Sequence, residues 1–256
     1  MLADLTAGAL ADAQRRRASV SLGEVERLAL AQLPPLDALG ALAPAERVKI
    51  IAEIKRASPS KGSLASIVDP AALATSYAAG GASAISVLTE ERKFLGSLDD
   101  LRSVRAAVDI PLLRKDFIAE AYQVFEARAA GADLVLLIVA ALEQPVMQEL
   151  FDLSTQLGMT VLVETHSGDE LERAIDLGAQ LIGVNARNLS TFELDRDLFA
   201  RLSDRFPSGT IRVAESAVRT SDDVAHYRSA GADVVLVGEA LVTSDPLVTL
   251  ASFLEI

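Results

Sequence analysis

The sequence contains no cysteine, no tryptophan and only two histidines, and no apolar run in it approaches the roughly 20 residues needed to span a bilayer. The absence of cysteine excludes disulfides, thiolate nucleophiles and cysteine-ligated zinc, which fits a reducing compartment. The first 20 residues carry Asp and a late cluster of Arg, instead of the basic start and apolar stretch of a signal peptide. We therefore expect a soluble cytoplasmic protein without membrane attachment.

Positive charge is also scarce, since the formal net charge is −12 and only 24 of the 256 residues are Lys or Arg. A nucleic acid is bound by a basic face that displaces its counterions, so this balance argues against such a partner. An anionic small molecule remains a candidate ligand if a local basic cluster acts against the global field. Lysines are rare, and two of them, Lys55 and Lys115, end apolar strand-like runs, where a compact amine with a tunable pKa differs chemically from a guanidinium.

The two histidines form no metal-site pattern with neighbouring carboxylates. His166 follows Glu164, so contact with a functional site is open, but a structural or surface role is the preferred interpretation. His226 lies in a helical stretch, and we expect no catalytic role for it. The sequence thus predicts a site without metal.

Beyond residue 47, short apolar runs rich in β-branched residues alternate with helical stretches of ten or more residues. Eight candidate strands lie at about 48–54, 84–88, 110–114, 133–139, 159–164, 181–185, 211–214 and 233–237. Four of them follow a Gly-Ala pair in which Gly ends a helix. This repeat predicts a parallel sheet covered on both faces, closed as a (β/α)8 TIM barrel. An open dinucleotide-binding sheet is disfavoured, because no glycine-rich fingerprint follows the first strand.

Residues 1–47 do not fit this repeat. A helix is predicted from about Leu5 to Ala18, and Ser21 with Glu24 forms a capping-box pattern before a second helix that ends near Leu33. We predict a helical N-terminal extension packed on the barrel near one rim. No linker-like segment separates it, so residues 1–256 are expected to form one domain.

Polar residues follow the apolar runs at the end where a parallel barrel carries its active site. The runs end in Glu53 and Lys55, in Lys115-Asp116-Phe117, in Glu164, in Asn185 and Arg187, in Glu215-Ser216, and in Gly238-Glu239. Glu53 and Lys55 share one face of their strand, because alternate side chains point the same way. Amines and carboxylates in one partly dry cavity shift one another's pKa values, which is typical of general acids and bases.

Three loops at this rim could contribute to a pocket, and two of them suit a phosphate group. The last two strands lead into turns where barrels often hold phosphate on backbone N–H groups. After the first strand, Pro59 fixes its own φ and biases Ser58 toward extended geometry, so this polar loop could lie over a pocket. For each loop taken alone, ordinary turn chemistry or a solvated surface is the alternative interpretation.

Several separated segments together resemble the indole-3-glycerol phosphate synthase family: AEIKRASPSKG, VLTEERKFLGSLDDL, LLRKDFI, GADLVLLIVAAL, GVNARNL, AES and VGEALV, in order over about residues 48–245. The resemblance implies ring closure of 1-(2-carboxyphenylamino)-1-deoxyribulose 5-phosphate with loss of carbon dioxide and water, a lyase step of tryptophan biosynthesis. It implies no metal or organic cofactor, because proton transfer and electrostatics suffice. We expect a monomer that binds this anionic substrate.

The resemblance also implies roles for rim residues. The positions that match catalytic residues of the family are Lys115, Glu164, Lys55, Glu53, Asn185 and Ser216. Lys115 matches the acid that polarises the ribulose carbonyl, and Lys55 and Glu164 match the acid and base of dehydration. Glu53 would orient Lys55, while the last two would position substrate groups. The division of labour between the two lysines is left open.

The positions that match the family's substrate-binding residues are Ser58, Phe94, Phe117, Arg187, Ala217, Gly238 and Glu239. Arg187 offers a fork for the substrate carboxylate, and the two Phe would lie beside the anthranilate ring, with core packing an alternative for Phe117. The others lie on the phosphate side. Ala217 departs from the family's usual Gly, which would cost on the order of 1 kcal/mol if its φ is positive. Glu239 places a carboxylate beside the phosphate, so we expect its side chain to turn away.

Two other functions stay open at this point. One is another phosphate-binding barrel, such as an isomerase or an aldolase with a Schiff-base lysine. The other is a barrel that binds a ligand without turnover. The presence of Glu53, Lys55, Lys115 and Glu164 together argues against lost chemistry.

Overall fold

The computed structural model describes residues 1–188 and 193–256 and contains a closed barrel of eight parallel strands. The strands are β1 (Lys49–Ile54), β2 (Ala84–Leu88), β3 (Leu112–Lys115), β4 (Leu134–Ile138), β5 (Thr160–Thr165), β6 (Leu181–Asn185), β7 (Ile211–Glu215) and β8 (Val234–Val237). Each pairs with the next in chain order, and β8 closes on β1. The predicted TIM barrel is confirmed.

The strands are buried on both faces, as their continuous apolar character predicts. On β1, Ile50, Ala52 and Ile54 pack outward against the surrounding helices, while Ile51 belongs to the inner cluster. The predicted start of β3 at residue 110 is two residues too early, because Pro111 has no N–H to give to the ladder. The alternation fixes which side chains enter the barrel, and at the carboxyl ends these are the polar ones.

Twelve helices are present in the described ranges. They are α1 (Leu2–Ser19), α2 (Leu22–Leu30), α3 (Ala38–Leu42), α4 (Pro70–Ala79), α5 (Leu98–Ala107), α6 (Ala121–Ala129), α7 (Gln144–Gln156), α8 (Gly168–Asp176), α9 (Leu198–Leu202), α10 (Ser221–Ser229), α11 (Glu239–Val242) and α12 (Pro246–Phe253). Several of the helices begin with a side-chain cap, among them α2 with Ser21 and α8 with Ser167. The Gly of each Gly-Ala pair has a positive φ, between 74° and 94°, which confirms the predicted helix ends.

The N-terminal extension covers both ends of the barrel. Leu5 of α1 lines the cavity at the carboxyl ends of the strands, and Arg16 binds Glu126 of α6 at 2.5 and 2.8 Å. Leu42 of α3 is fully buried in the inner cluster, directly before β1 begins. The prediction of contact near one rim is therefore too narrow, since α3 packs at the opposite, amino-terminal end.

The helices of residues 1–188 and 193–256 include none that is both long enough and apolar enough to cross a membrane.

Candidate active site

A cavity opens at the carboxyl ends of the barrel strands, and its lining includes all thirteen residues that the sequence singles out. They come from the ends of β1, β3, β5, β6, β7 and β8 and the loops that follow, and, for Phe94, from the loop after β2. These positions are far apart in the chain. They meet because parallel strands of a closed barrel deliver their carboxyl ends to one rim.

Glu53 and Lys55 form an ion pair on the inner face of β1, with 2.6 Å between Lys55 Nζ and Glu53 Oε1. Glu53 is 4% exposed, so the pair replaces the hydration that its carboxylate loses. Gly238 makes room for it, since a Cβ at this position would lie 2.6 Å from the Glu53 carboxylate and 3.1 Å from the Lys55 amine. The predicted shared face of Glu53 and Lys55 is confirmed.

Lys115 lies between two buried carboxyl groups. Its Nζ is 3.1 Å from Glu164 Oε2 and 3.5 Å from Glu215 Oε2. Burial disfavours the ammonium, but Glu164, Glu215 and Glu53 raise the pKa of Lys115 well above its usual value. The amine is therefore charged and is a strong hydrogen-bond donor toward a substrate oxygen.

The pKa values of Glu164 and Glu215 shift in opposite directions in this environment. Burial by itself would raise the pKa of Glu164, but the charges of Lys115 and His166 hold it below its usual range. Burial, followed by the charge of Glu164, raises the pKa of Glu215 to about 8. Two close carboxyls that share one proton supply a base and an acid in the same cavity.

Glu215 is the residue that sequence reasoning missed as a candidate, although it was noted at the end of β7. It is 1% exposed and points inward, in step with Val213 of the same strand. Gly183 on β6 accommodates its carboxyl, because any Cβ there would overlap Glu215 Oε1. The available signal was the period of two along β7, which places Glu215 on the barrel-facing side.

His166 also differs from its preferred interpretation. Its side chain is 10% exposed, with Nε2 3.4 Å from Glu164 Oε1 and Nδ1 3.1 Å from Glu170 Oε2. A surface role is therefore wrong, and the open alternative of a contact with the site is what the structure shows. His226 lies on α10 and faces Asp197 at 3.6 Å, outside the residues that line the cavity.

Asn185 and Ser216 meet at the ends of β6 and β7. The Ser216 hydroxyl donates to Asn185 Oδ1 at 2.8 Å, and the same oxygen accepts the backbone N–H of Arg187 at 3.0 Å. This arrangement leaves the Asn185 amide N–H groups to face the cavity and orients the backbone from which the Arg187 side chain extends.

Two aromatic rings form an apolar wall of the cavity. The ring centroids of Phe94 and Phe117 are 6.1 Å apart with an interplanar angle of 40°. Phe94 is held by Glu90, whose buried carboxylate accepts backbone N–H groups from residues 92, 93 and 94 at 2.7 to 3.0 Å. Phe117 also packs in the inner cluster, which confirms the core-packing interpretation, and it lines the cavity as well.

The residues predicted to bind phosphate also line the cavity. Ser216 and Ala217 have positive φ values of 69° and 59°, so the expected strain at Ala217 is present. Ser58 approaches Ser60 in the loop after β1, with 3.5 Å between their hydroxyls. Together with Gly238, these residues surround the mouth of the cavity.

Two cations hold the Glu239 side chain. Its carboxylate forms an ion pair with Lys61 from the loop after β1 and lies 3.8 Å from Arg219 Nε. Lys61 does not line the cavity, and the expectation that the Glu239 side chain turns away from the phosphate stays a prediction. Across the described residues, no group of three His, Cys, Asp or Glu has an arrangement that could hold a metal ion.

Comparison with known proteins gives a consistent result over nearly the whole chain. The family model described as indole-3-glycerol phosphate synthase matches residues 2–251. The chain is 72% identical to the indole-3-glycerol phosphate synthase of Leifsonia xyli subsp. xyli (strain CTCB07), over 99% of this chain and 97% of that protein. It is 58% identical to the protein of the same name from Mycolicibacterium gilvum (strain PYR-GCK), over 96% of this chain and 90% of the relative.

Solved structures with low identity share the fold. A thiamine phosphate pyrophosphorylase from Pyrococcus furiosus superposes with a TM-score of 0.60 at 15% identity, over 80% of this chain and 93% of that one. An N-acetylmannosamine-6-phosphate 2-epimerase from Clostridium perfringens gives 0.63 at 13% identity, over 83% and 94%. At these identities the likeness concerns the barrel alone.

Proposed function

The chain belongs to the indole-3-glycerol phosphate synthase family, and from that premise we propose that the cavity residues perform the family's ring closure by general acid and base catalysis. The reaction converts 1-(2-carboxyphenylamino)-1-deoxyribulose 5-phosphate to indole-3-glycerol phosphate, with loss of carbon dioxide and water. The enzyme is thus a carbon–carbon lyase of tryptophan biosynthesis, and it binds a phosphorylated small molecule.

Lys115 is the proposed acid for ring closure. A charged amine donates a strong hydrogen bond to the ribulose carbonyl oxygen and stabilises the negative charge that develops there. The position between Glu164 and Glu215, at 3.1 and 3.5 Å, supports this role because the ionised Glu164 keeps the amine charged and both carboxyls fix its direction. This arrangement is the single observation that carries the proposal.

Dehydration requires a proton delivered to the departing hydroxyl and another removed from the ring. Lys55, oriented by Glu53 at 2.6 Å, is the proposed donor, and the ionised Glu164 is the proposed base. Glu215, with its pKa raised to about 8 by burial and by Glu164, is a further proton carrier beside Lys115.

The two ends of the substrate are proposed to lie on opposite walls. Phe94 and Phe117 would contact the anthranilate ring, and Arg187 would bind its carboxylate. The phosphate would lie on the backbone of Ala217 and Gly238, near Ser58. Asn185 and Ser216 would hold substrate groups between these two ends.

We expect the purified chain to produce indole fluorescence when it is mixed with the substrate. The chain has no tryptophan, so protein background is low. Lys115→Met should lower kcat about 10²- to 10⁴-fold, which is the contribution of a positioned acid. Substrate binding, measured by calorimetry, should change little.

Lys49→Met is the matched control, because Lys49 begins β1 at the other end of the barrel. Turnover of Lys115→Met equal to that of Lys49→Met would remove Lys115 from the mechanism. Tight binding without fluorescence in the unchanged chain would instead favour a different reaction on a related phosphate, and borohydride trapping would then test for a Schiff-base lysine.

We further propose that the enzyme is a cytoplasmic monomer of one domain that needs no metal and no organic cofactor. Proton transfer and electrostatics account for every step assigned above. We expect turnover to survive EDTA and extensive dialysis. Light scattering on the same sample should give the mass of one 27.0 kDa chain, and a dimer mass would contradict the monomer.

A further inference from the structure

His166 contacts the proposed base but is not among the residues that line the cavity. It lies two residues after Glu164 and one residue past the end of β5. His166 Nε2 is 3.4 Å from Glu164 Oε1 and has no hydrogen-bond partner among the described residues. Because these two atoms are 3.4 Å apart and are not aligned for a hydrogen bond, the imidazole and the carboxylate interact mainly through their charges.

Glu170 holds the other side of the imidazole ring. Its Oε2 lies 3.1 Å from His166 Nδ1 and also accepts the His166 backbone N–H at 2.8 Å. Glu170 is in the first turn of α8, which Ser167 caps, so the carboxylate is anchored by the helix start. Burial opposes a charged ring, but Glu164 and Glu170 raise the pKa of His166 to about 10.

The contacts of the two central carboxyls are unequal. Glu164 has two cations beside it, Lys115 at 3.1 Å and His166 at 3.4 Å. Glu215 has Lys115 at 3.5 Å, and its Oε1 has no hydrogen-bond partner in the described part of the chain. When two close carboxyls share a proton, the one with less positive charge around it retains the proton.

We propose that His166 is a positioning residue that, held by Glu170, keeps Glu164 ionised as the base and leaves the shared proton on Glu215. The catalytic consequence rests on the proposed function. The charged groups that face this unit are Lys115 from β3, Glu215 from β7, Glu170 from α8 and, through Lys115, Glu53 from β1. His166 does not line the cavity, so it acts through Glu164 and not on the substrate.

Histidine NMR tests the charge coupling without turnover. The chain has only two histidines, so each imidazole of a ¹⁵N-histidine sample is assigned with His166→Gln and His226→Gln. We expect His166 to show the imidazolium pattern at pH 7.5. In Glu164→Gln the titration midpoint of His166 should move to lower pH by about one unit or more. Because linkage is reciprocal, the charge of His166 changes the pKa of Glu164 to the same extent.

The pH dependence of kcat/KM in two variants with a neutral side chain at position 166 tests the effect on catalysis. His166→Gln retains an amide donor near the position of Nε2, whereas His166→Asn is too short to reach Glu164. Without the positive charge the pKa of Glu164 rises, so the acidic limb of kcat/KM should move up by about one pH unit in both. We expect activity to recover at higher pH and KM to change less than twofold.

A loss of activity that is equal at every pH would indicate a merely structural role and overturn the proposal. So would a neutral His166 at pH 7.5, or a titration that Glu164→Gln does not move. The two hypotheses fail separately: NMR coupling in a chain that forms no indole product overturns the proposed function, whereas product formation without NMR coupling overturns the role of His166 alone.

Discussion

Two glycines shape the site because they lack a side chain, and they matter as much as the charged residues. Gly183 and Gly238 both face the barrel interior, and each leaves space for a carboxylate, Glu215 and Glu53 respectively. A methyl group at either position would displace a charge that has no other place in a close-packed interior. Each of these buried carboxyl groups therefore depends on the glycine that faces it.

Ala217 is a residue where the chain carries backbone strain. Its φ of 59° is in the left-handed region, which costs an L-residue on the order of 1 kcal/mol. We expect Ala217→Gly to raise the free energy of unfolding by about 0.5–1 kcal/mol, because relief of strain exceeds the added freedom of the unfolded chain. Urea titration at constant pH measures this difference.

Ala106→Gly is the matched control for this substitution, since Ala106 is exposed in α5 with ordinary helical geometry. There the same change should destabilise by about 1 kcal/mol. Equal destabilisation by both substitutions would show that Ala217 is not strained.

Among the elements, the loop after β1 depends on long-range ion pairs. Arg56 binds both oxygens of Asp100 at 2.5 and 2.9 Å at the base of this loop. Near its tip, Lys61 pairs with Glu239 at the start of α11. The loop thus lies across the cavity mouth, tied at both places to elements that follow other strands.

In the proposed binding mode, Glu239 would compete with the substrate phosphate for Lys61 and Arg219. A carboxylate beside Lys61 and Arg219 must yield part of its attraction when a phosphate arrives. We expect Glu239→Gln to lower KM several-fold with kcat nearly unchanged, since one partly exposed charge is worth about 1 kcal/mol. Steady-state kinetics at low and high salt measure the effect and its screening.

Glu172→Gln serves as the comparison, because Glu172 pairs with Arg205 on the surface and does not line the cavity. It should leave KM unchanged. A rise in KM for Glu239→Gln would instead mean that the Lys61 pair is needed to hold the loop over the substrate.

At the scale of the whole molecule, a net charge of −12 surrounds a cavity whose lining carries cations. The basic residues that line it are Lys55, Lys115, Arg187 and Arg219. The same lining carries five carboxyl groups, those of Glu53, Asp116, Glu164, Glu215 and Glu239, so the cavity is mixed in charge and is not a basic cluster. Several buried groups also have proton affinities that differ from those of the unfolded chain, so stability depends on pH.

Stability should fall as pH rises above neutrality. His166 has a folded pKa raised from 6.5 to about 10, so its contribution is complete below 6.5 and is lost as pH rises through 10. Glu215, raised from 4.5 to about 8, acts in the same direction over its own range. We expect the free energy of unfolding to drop by about 2 kcal/mol or more from pH 7 to 10.

Urea titrations across this pH range measure how the free energy of unfolding depends on pH, and His166→Gln should reduce that dependence. An equal pH dependence in both proteins would contradict the raised pKa of His166.

Unfolding in urea should also occur in a single step, because Leu5 and Leu42 of the extension are buried with the barrel's inner cluster.

The sequence by itself determined the elements and their order. Continuous apolar runs located β1 and β2 to within a residue, and the glycines of the Gly-Ala pairs marked helix ends because only glycine takes a positive φ without strain. The sequence also identified the polar residues that follow six of the eight strands. The resemblance carried by separated motifs supplied the family, and with it the reaction.

Tertiary structure alone decided which of these residues touch. The proximity of Lys115 to Glu215, the pairing of His166 with Glu164 and Glu170, and the capture of Glu239 by Lys61 depend on strand stagger, side-chain packing and loop course. Local sequence encodes backbone periodicity over a few residues. Contacts between distant positions are fixed only when the barrel closes, and the pKa values follow from those contacts because burial and charge separation are properties of the closed barrel.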